Sequence, residues 1–447
     1  MAPFYSNTTN NSDLAERCQQ SCGQRSLYEE VSAYLREGWY PFHMPGHKGN
    51  RSEVLTGWNL SVDVTELPGL DNLHDPAGCI AETERRIAGF YNADRSFLLV
   101  NGSTAGIIAA ICAVCGDGDL LAVDRNCHRS VYSGMILSGA RPVYFWPSKG
   151  PVPEAKATIV TSPTYEGNVL DIQGIREQSK ILIVDEAHGA HFPFHPAFPK
   201  GAFTYGADIV VHSFHKTLPA ISQSAVVHVK GGKVDIGRLQ RALACVQTSS
   251  PSYLIMASTD CMLNTLWKEP EHFEKYVERL QKLRQDLSEW LLPNDDISKL
   301  LLAVPDGAEW ANKHKLAFEM ITERYILAMT SVADTPEGFA LLKSAMSAMN
   351  GLSGGELPAQ TSRVKRISPS GAEYRNLALP EVVLTPREAM GRARKKMCLK
   401  DAVGEVSGSF LAPFPPGVPV LAPGERIRAG IELKVAADCE IEVLADV

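Results

Sequence analysis

No run of about 18 apolar residues occurs in the chain, so no segment reads as a membrane-spanning helix. The first stretch, Met1 to about Gln24, is polar and rich in Asn, Ser and Thr. It lacks the basic start and apolar run of a secretory signal, and residues 1–25 read as a mobile tail. An excess of positive charge is also missing. Lys and Arg number 44 against 51 Asp and Glu, a net charge of −7, which gives no electrostatic reason to expect nucleic acid. Disulfide spacing is absent too: the ten cysteines are scattered, as reduced thiols in a cytoplasmic protein would be. Cys112 and Cys115 form a Cys-x-x-Cys, but the apolar segment Ile107–Val114 around them and the lack of a second ligand pair favour buried small residues over a zinc site. There are no internal repeats.

What is present is length and rhythm. At 447 residues the chain can hold a substantial α/β core and a further domain. Ser26-Leu-Tyr-Glu29 has the capping-box form, and Leu27, Tyr28, Val31, Tyr34 and Leu35 follow at helical spacing, so a docking helix is predicted there. Short apolar runs then alternate with helical stretches: Phe97–Val100, Leu120–Val123, Pro142–Phe145, Thr158–Thr161, Ile181–Val184, Ile209–Val211 and Ala225–Val229. This pattern predicts an α/β fold with a mostly parallel sheet covered by helices. Glu271–Leu292 carries a one-sided apolar stripe and is expected to be a long helix leading out of the sheet domain. The division expected is 26–295 for a large domain with its N-terminal helix, and 296–447 for a smaller α+β C-terminal domain. Ser353-Gly-Gly-Glu356 reads as a linker, and Leu411–Pro419 is too rich in proline for helix.

Three polar sites fall at strand ends. Gly102-Ser-Thr-Ala-Gly106 lies between a strand and a helix expected to begin near Ile107, so its backbone amides and the Ser103 and Thr104 hydroxyls suit a phosphate, or an ordinary Ser/Thr cap. Asp185 ends the strand Ile181–Val184, where an aspartate serves as helix cap, metal ligand or partner of a protonated heterocycle. His188 follows, suited to hydrogen bonding; His188, His191, His43 and His47 together make a weaker case for zinc. Lys216 follows the strand Ile209–Val211 within His212-Ser-Phe-His-Lys216, an apolar setting that lowers a lysine pKa and frees the amine for a Schiff base. Phosphate cradle, aspartate and lysine together are the groups that pyridoxal 5′-phosphate (PLP) requires.

On these and further segments the sequence resembles the Orn/Lys/Arg decarboxylase family of PLP enzymes, which have the aspartate aminotransferase fold (fold type I). The segments are Pro41-Phe-His-Met-Pro-Gly-His-Lys48, Glu66-Leu-Pro-Gly-Leu-Asp-Asn-Leu-His74, Asn101-Gly-Ser-Thr104, Asn126-Cys-His-Arg-Ser130, Val184-Asp-Glu-Ala-His188, Ser213-Phe-His-Lys216, Pro413–Pro419 and Pro423-Gly-Glu425. The resemblance runs from about Leu27 to the C-terminus, and to the short form without a large N-terminal wing. It implies that Lys216 binds PLP, Asp185 pairs with the pyridine nitrogen, and His128 stacks on the ring, where as a catalytic group it could also assist proton return to Cα. It further implies that Ser103, Thr104, Ser213 and His215 surround the phosphate. Thr248–Ser252, with Ser249, resembles the segment that reaches the neighbouring subunit's cofactor, so a homodimer or dimer-based oligomer with shared sites is expected. The implied reaction is α-decarboxylation of lysine, arginine or ornithine, feeding polyamine metabolism, without a metal. One departure is Ser407-Gly-Ser-Phe410, where short-form relatives often place an Ala-Glu pair. An aminotransferase or lyase on the same fold, or a non-catalytic PLP-binding regulator, is the competing reading.

Overall fold

A computed structural model describes residues 25–37, 45, 48, 60–350, 378–412, 417–430 and 439–447. The expected tail, the His43 and His47 part of the first motif, the Ser353–Glu356 linker and residues 413–416 of the proline-rich motif lie outside the described residues.

The N-terminal helix α1 (Leu27–Glu37) begins where the capping box places it, with Ser26 N donating to Glu29 Oε2 at 3.0 Å. Leu27 and Val31 are buried, whereas Tyr28 and Leu35 of the expected stripe are exposed. After α2 (Cys79–Phe90) come the seven strands of the large sheet: β1 (Arg95–Leu99), β2 (Leu120–Asp124), β3 (Arg141–Phe145), β4 (Ala157–Thr161), β5 (Leu182–Asp185), β6 (Ile209–Ser213) and β7 (Ala225–Val229). Their spatial order is β1-β7-β6-β5-β4-β2-β3. Pairing from β3 through β2, β4 and β5 to β6 is parallel, while β7 runs antiparallel to both β6 and β1. All seven predicted apolar runs are strands of this sheet.

Alternate residues of each strand feed opposite cores. Leu99, Val123, Ile183, Val211 and Val227 pack against α3 (Gly102–Val114) and α4 (Arg129–Ser138) with Ile107, Ile111 and Val131. On the other face Ala122, Val160, Val184 and Val210 meet Ile172 and Ile175, while Leu98 and Val226 join a core that includes α5 (Tyr253–Lys268) and α6 (Glu271–Asp286). The helix α3 starts at Gly102, not near Ile107, because the small residues of the cradle form its first turn. Gly106 then sits where a Cβ would lie 2.7 Å from Leu99 Cδ1 and 2.9 Å from Val211 Cγ1, so only glycine lets this helix approach the sheet.

The edge strand β1 has its outer backbone groups covered by buried side chains. Leu98 N donates to Glu84 Oε1 at 2.9 Å, and Val100 N donates to Gln247 Oε1 at 2.9 Å. The helix α6 ends at Asp286, short of the expected Leu292, since Trp290 and Leu292 pair with Ala303 and Leu301 instead. Beyond it lie a three-stranded antiparallel sheet, β8 (Lys299–Leu302), β9 (Met320–Ile321) and β10 (Ile326–Met329), and the antiparallel pair β11 (Arg394–Cys398) and β12 (Glu440–Leu444). Among the described residues no helix is long and apolar enough to cross a membrane.

Candidate active site

Sheet register assembles the site. Ala225 of β7 pairs with Leu99 on one side and with Ser213 on the other, so the segments leaving β1 and β6 emerge together. Gly102 N donates to Gln223 O and Phe214 N to Ser224 O, both at 3.0 Å, which ties the two segments to the loop before β7. Parallel pairing sets Thr161 opposite Asp185, and Asp185 opposite Val211. Cradle, aspartate and lysine therefore share one edge, at the carboxyl ends of the strands where ligands bind in such sheets.

At the cradle, the buried Ser213 Oγ donates to Ser103 Oγ at 2.7 Å, next to the first-turn amides of α3. Thr104 is exposed beside them. His215 Nδ1 is held by Ser224 O at 2.9 Å. Lys216 lies in the single helical turn Phe214–Thr217, with Nζ 3.2 Å from His188 Nε2. Burial lowers its pKa, and Asp185 and then Glu319 oppose that loss of charge. The buried Asp185 accepts from Ala187 N at 3.2 Å; burial raises its pKa, and the charge on Lys216 opposes the rise.

His128 caps α4: its Nδ1 accepts from Ser130 N at 3.2 Å, which assigns the ring proton to Nε2. Burial, followed by the charge of Lys216, pushes its pKa down to about 4, so the ring is neutral at pH 7. His188 is also held neutral, by burial and then by Lys216, and its buried Nδ1 has no hydrogen-bond partner among the described residues. Ser249 is exposed in the loop before α5, where Thr248 O accepts from His74 Nε2 at 2.8 Å. Among the described residues no hydrogen bond joins Ser249 to the cluster around Lys216.

Several polar neighbours escape a strand-by-strand reading. Ser96, His228, His212 and Glu186 form a buried chain with contacts of 2.7, 3.0 and 2.8 Å. The chain ends on the Glu186 carboxylate, directly after Asp185 in sequence. His191 leaves His188 and pairs with the buried Asp296 at 3.2 Å, beside the buried Lys299. The Tyr165 ring stands edge-on to His188 with centroids 4.8 Å apart, and its hydroxyl donates to Glu319. Tyr165 was within reach of sequence reasoning, because it follows β4 at the same sheet edge. Glu319 carried no such signal.

A buried carboxylate, a serine-lined helix N-terminus and a lysine of lowered pKa fit one group that carries a basic ring nitrogen, a phosphate and an aldehyde. PLP is such a group.

The family model of the Orn/Lys/Arg decarboxylase major domain matches residues 25–152 and 149–311, and that of the C-terminal domain matches 371–435. The chain belongs to the Orn/Lys/Arg decarboxylase family. It is 31% identical to the uncharacterized protein YaaO of Bacillus subtilis over 90% of this chain and 91% of that one. It is 29% identical to an arginine decarboxylase of Halalkalibacterium halodurans over 90% and 91% of the two chains. Among solved structures, the Francisella novicida lysine decarboxylase LdcF superposes with a TM-score of 0.79 at 20% identity, covering 94% of this chain and 81% of that one. A serine palmitoyltransferase (SPT) with PLP superposes over 72% of this chain and 84% of its own, with a TM-score of 0.52 at 17% identity. The family's fold type I architecture is thus the one present, and this member is a PLP-dependent amino acid decarboxylase.

Proposed function

We propose that the protein removes the α-carboxyl group of a basic amino acid, arginine, lysine or ornithine, giving an amine that enters polyamine metabolism in the cytoplasm. The observation that carries this reading is the shared edge at which Ala225 aligns the cradle after Leu99 with the lysine turn after Ser213, beside Asp185. PLP, when bound, supplies the electron sink for the pair left by departing carbon dioxide.

The chain's own residues supply the rest. Lys216 offers the amine that holds the cofactor. Asp185 would pair with the ring nitrogen, where its carboxylate would favour the protonated ring. Ser103, Thr104, Ser213 and His215 bind the phosphate with the amides of α3. A neutral His128 covers the ring face; with a pKa of about 4, packing suits it better than donating a proton at pH 7. His188 orients Lys216 by accepting from Nζ. Ser249 acts across a dimer interface, toward the partner's phosphate. The unit carrying the site is 26–295, with 296–447 as a C-terminal domain.

The test is release of labelled carbon dioxide from arginine, lysine and ornithine by pure enzyme with PLP. Release from another amino acid and none of these overturns the substrate class, and no release from any overturns the reaction. Borohydride reduction should fix the cofactor on the peptide containing Lys216, and recovery on another lysine would refute that assignment.

A further inference from the structure

An amino acid with a cationic side chain brings a charge that must find a carboxylate once water is excluded, because an ion left unpaired in a closed site costs several kcal/mol. Asp185 is committed to the inner end of the site. Among the described residues, one other carboxylate acts on Lys216, that of Glu319.

Contacts trace how Glu319 is joined to the site. Lys216 Nζ meets His188 Nε2 at 3.2 Å, the His188 ring meets the edge of Tyr165 with centroids 4.8 Å apart, and the Tyr165 hydroxyl donates to Glu319 Oε1. Each link is held from behind. The loop of Tyr165 is clamped by Asp296 N donating to Gly167 O at 2.8 Å and by Asn294 Nδ2 donating to Glu166 O at 2.9 Å. Gly167, at φ +84°, permits this approach; a Cβ there would lie 2.9 Å from Lys299 Cγ. Glu319 is fixed by its own N–H, which donates to Leu327 O at 3.1 Å beside β9 and β10. The small sheet thus presents an acid to the large sheet's site. Glu319 is exposed, and the Tyr165 hydroxyl bonds its Oε1.

The geometry points to Glu319, oriented by Tyr165, as the specificity residue that receives the distal cation of the substrate. This rests on the basic amino acid reading proposed above. When the substrate's α-amine occupies the place of Lys216 Nζ, a lysine or arginine side chain extends on the order of 8 Å beyond it, from six or more bonds of about 1.5 Å in zigzag. A neutral side chain of equal length gains nothing from Glu319, so the site selects by charge as well as by size.

The test compares wild type, Glu319→Gln, Glu319→Asp, Tyr165→Phe and the exposed neighbour Glu323→Gln, each loaded with PLP. Lysine is set against norleucine, and arginine against citrulline, by kcat/KM for carbon dioxide release. Binding of pentane-1,5-diamine against pentylamine is measured separately by calorimetry. For Glu319→Gln the kcat/KM for the cationic substrate should fall about fivefold, the upper scale for neutralising one partner of a solvent-exposed charge pair. Its preference for the diamine over the monoamine should disappear, with the visible absorbance of the lysine-bound cofactor unchanged. Glu319→Asp should recover part of the loss, Tyr165→Phe should show a smaller loss, and Glu323→Gln should behave as wild type.

Should Glu319→Gln fail to fold, Glu319→Asp and Tyr165→Phe still decide through the cation-to-neutral ratio, which must drop in both. If wild type decarboxylates basic amino acids and these ratios stay unchanged, Glu319 is not the receptor and this inference alone falls. An equal drop in Glu323→Gln would also overturn it, by showing a diffuse surface field. If wild type acts on no basic amino acid, the substrate reading falls and this inference with it.

Discussion

The Arg125 guanidinium donates to the Glu425 carboxylate at 2.9 Å across 300 positions of sequence, with both side chains buried. Arg125 follows β2 at the edge that carries the site, and Glu425 ends the Pro423-Gly-Glu425 motif. Around the pair, Arg125 also donates to Val420 O and to the Tyr132 hydroxyl, and Ala422 N donates to Glu425. Burial works against the arginine charge, and Glu425 first, joined by Tyr132, Tyr144 and Cys127, outweighs it and raises the pKa. Gly424 holds the turn at φ +88°, where a Cβ would lie 2.2 Å from Leu384 O. The motif is therefore an anchor of the C-terminal segment onto the large sheet.

Breaking that pair leaves a buried charge without compensation. Glu425→Ala should destabilise the protein by about 3–5 kcal/mol, while the paired change Arg125→Met with Glu425→Leu should recover much of the loss. Urea unfolding of the three proteins checks this. A single variant within about 0.5 kcal/mol of wild type would mean that the segment is held by other contacts.

Asp185→Asn keeps the shape of the side chain and removes its charge. Turnover should drop by about 10²-fold or more, the usual scale for losing one preorganised electrostatic partner, while the cofactor still binds. Single-turnover carbon dioxide release provides the measurement. Wild-type turnover in the variant would reduce Asp185 to a structural acid.

His128 has two separable tasks, since asparagine can cap a helix but cannot cover an aromatic face. His128→Asn should keep thermal stability close to wild type and lose cofactor affinity and rate. His128→Ala should lose these and about 1 kcal/mol of stability besides. Equal cofactor affinity in wild type and His128→Asn, read by dialysis against PLP, would remove the ring-covering role.

Glu84, buried beneath β1, supplies a pH-dependent contribution. Burial raises its pKa from 4.5 to about 8, with the Leu98 N–H opposing. The folded state thus holds a proton that the unfolded chain releases. Its contribution to stability is fully present below pH about 4.5 and is lost as pH rises through about 8, on the order of 5 kcal/mol in all. Glu84→Gln keeps an acceptor for Leu98 N and removes the titration. The stability of the variant minus that of wild type should grow between pH 5 and 8; a difference constant across that range would place the Glu84 proton elsewhere.

Parallel strands buried on both faces read as short apolar runs, which is why the whole large sheet was legible in sequence, as were Asp185, Lys216 and the Ser103 turn at its edge. The start of α3 was misplaced because Gly102, Ser103 and Thr104 favour turns in isolation, yet here they form a helical turn against the sheet. The end of α6 was misplaced since Leu287 and Leu291 keep helical spacing after Asp286, while Leu291 already bridges to Leu302 of β8. Buried polar chains such as Ser96-His228-His212-Glu186 depend on cross-strand neighbours that spacing within one strand does not reveal. Glu319 sits in a polar stretch of ordinary composition, and only the docking of the small sheet gives it a role. Ser249 is exposed before α5, and the role proposed for it depends on a second subunit.

The antiparallel insertion of β7 between β1 and β6 also governs when the site can come into being during synthesis. β1 has β7 as its sheet neighbour, and Arg95 pairs with Val229. At about 5–20 residues per second, on the order of ten seconds or more of elongation separate these two strands, even before the ribosome tunnel is cleared. Throughout that interval the cradle after Leu99 has no lysine beside it, so the nascent chain cannot capture PLP by this arrangement. The cofactor becomes a stabilising ligand only once β7 has locked in, which makes the arrival of residues 225–229 the checkpoint for loading the enzyme.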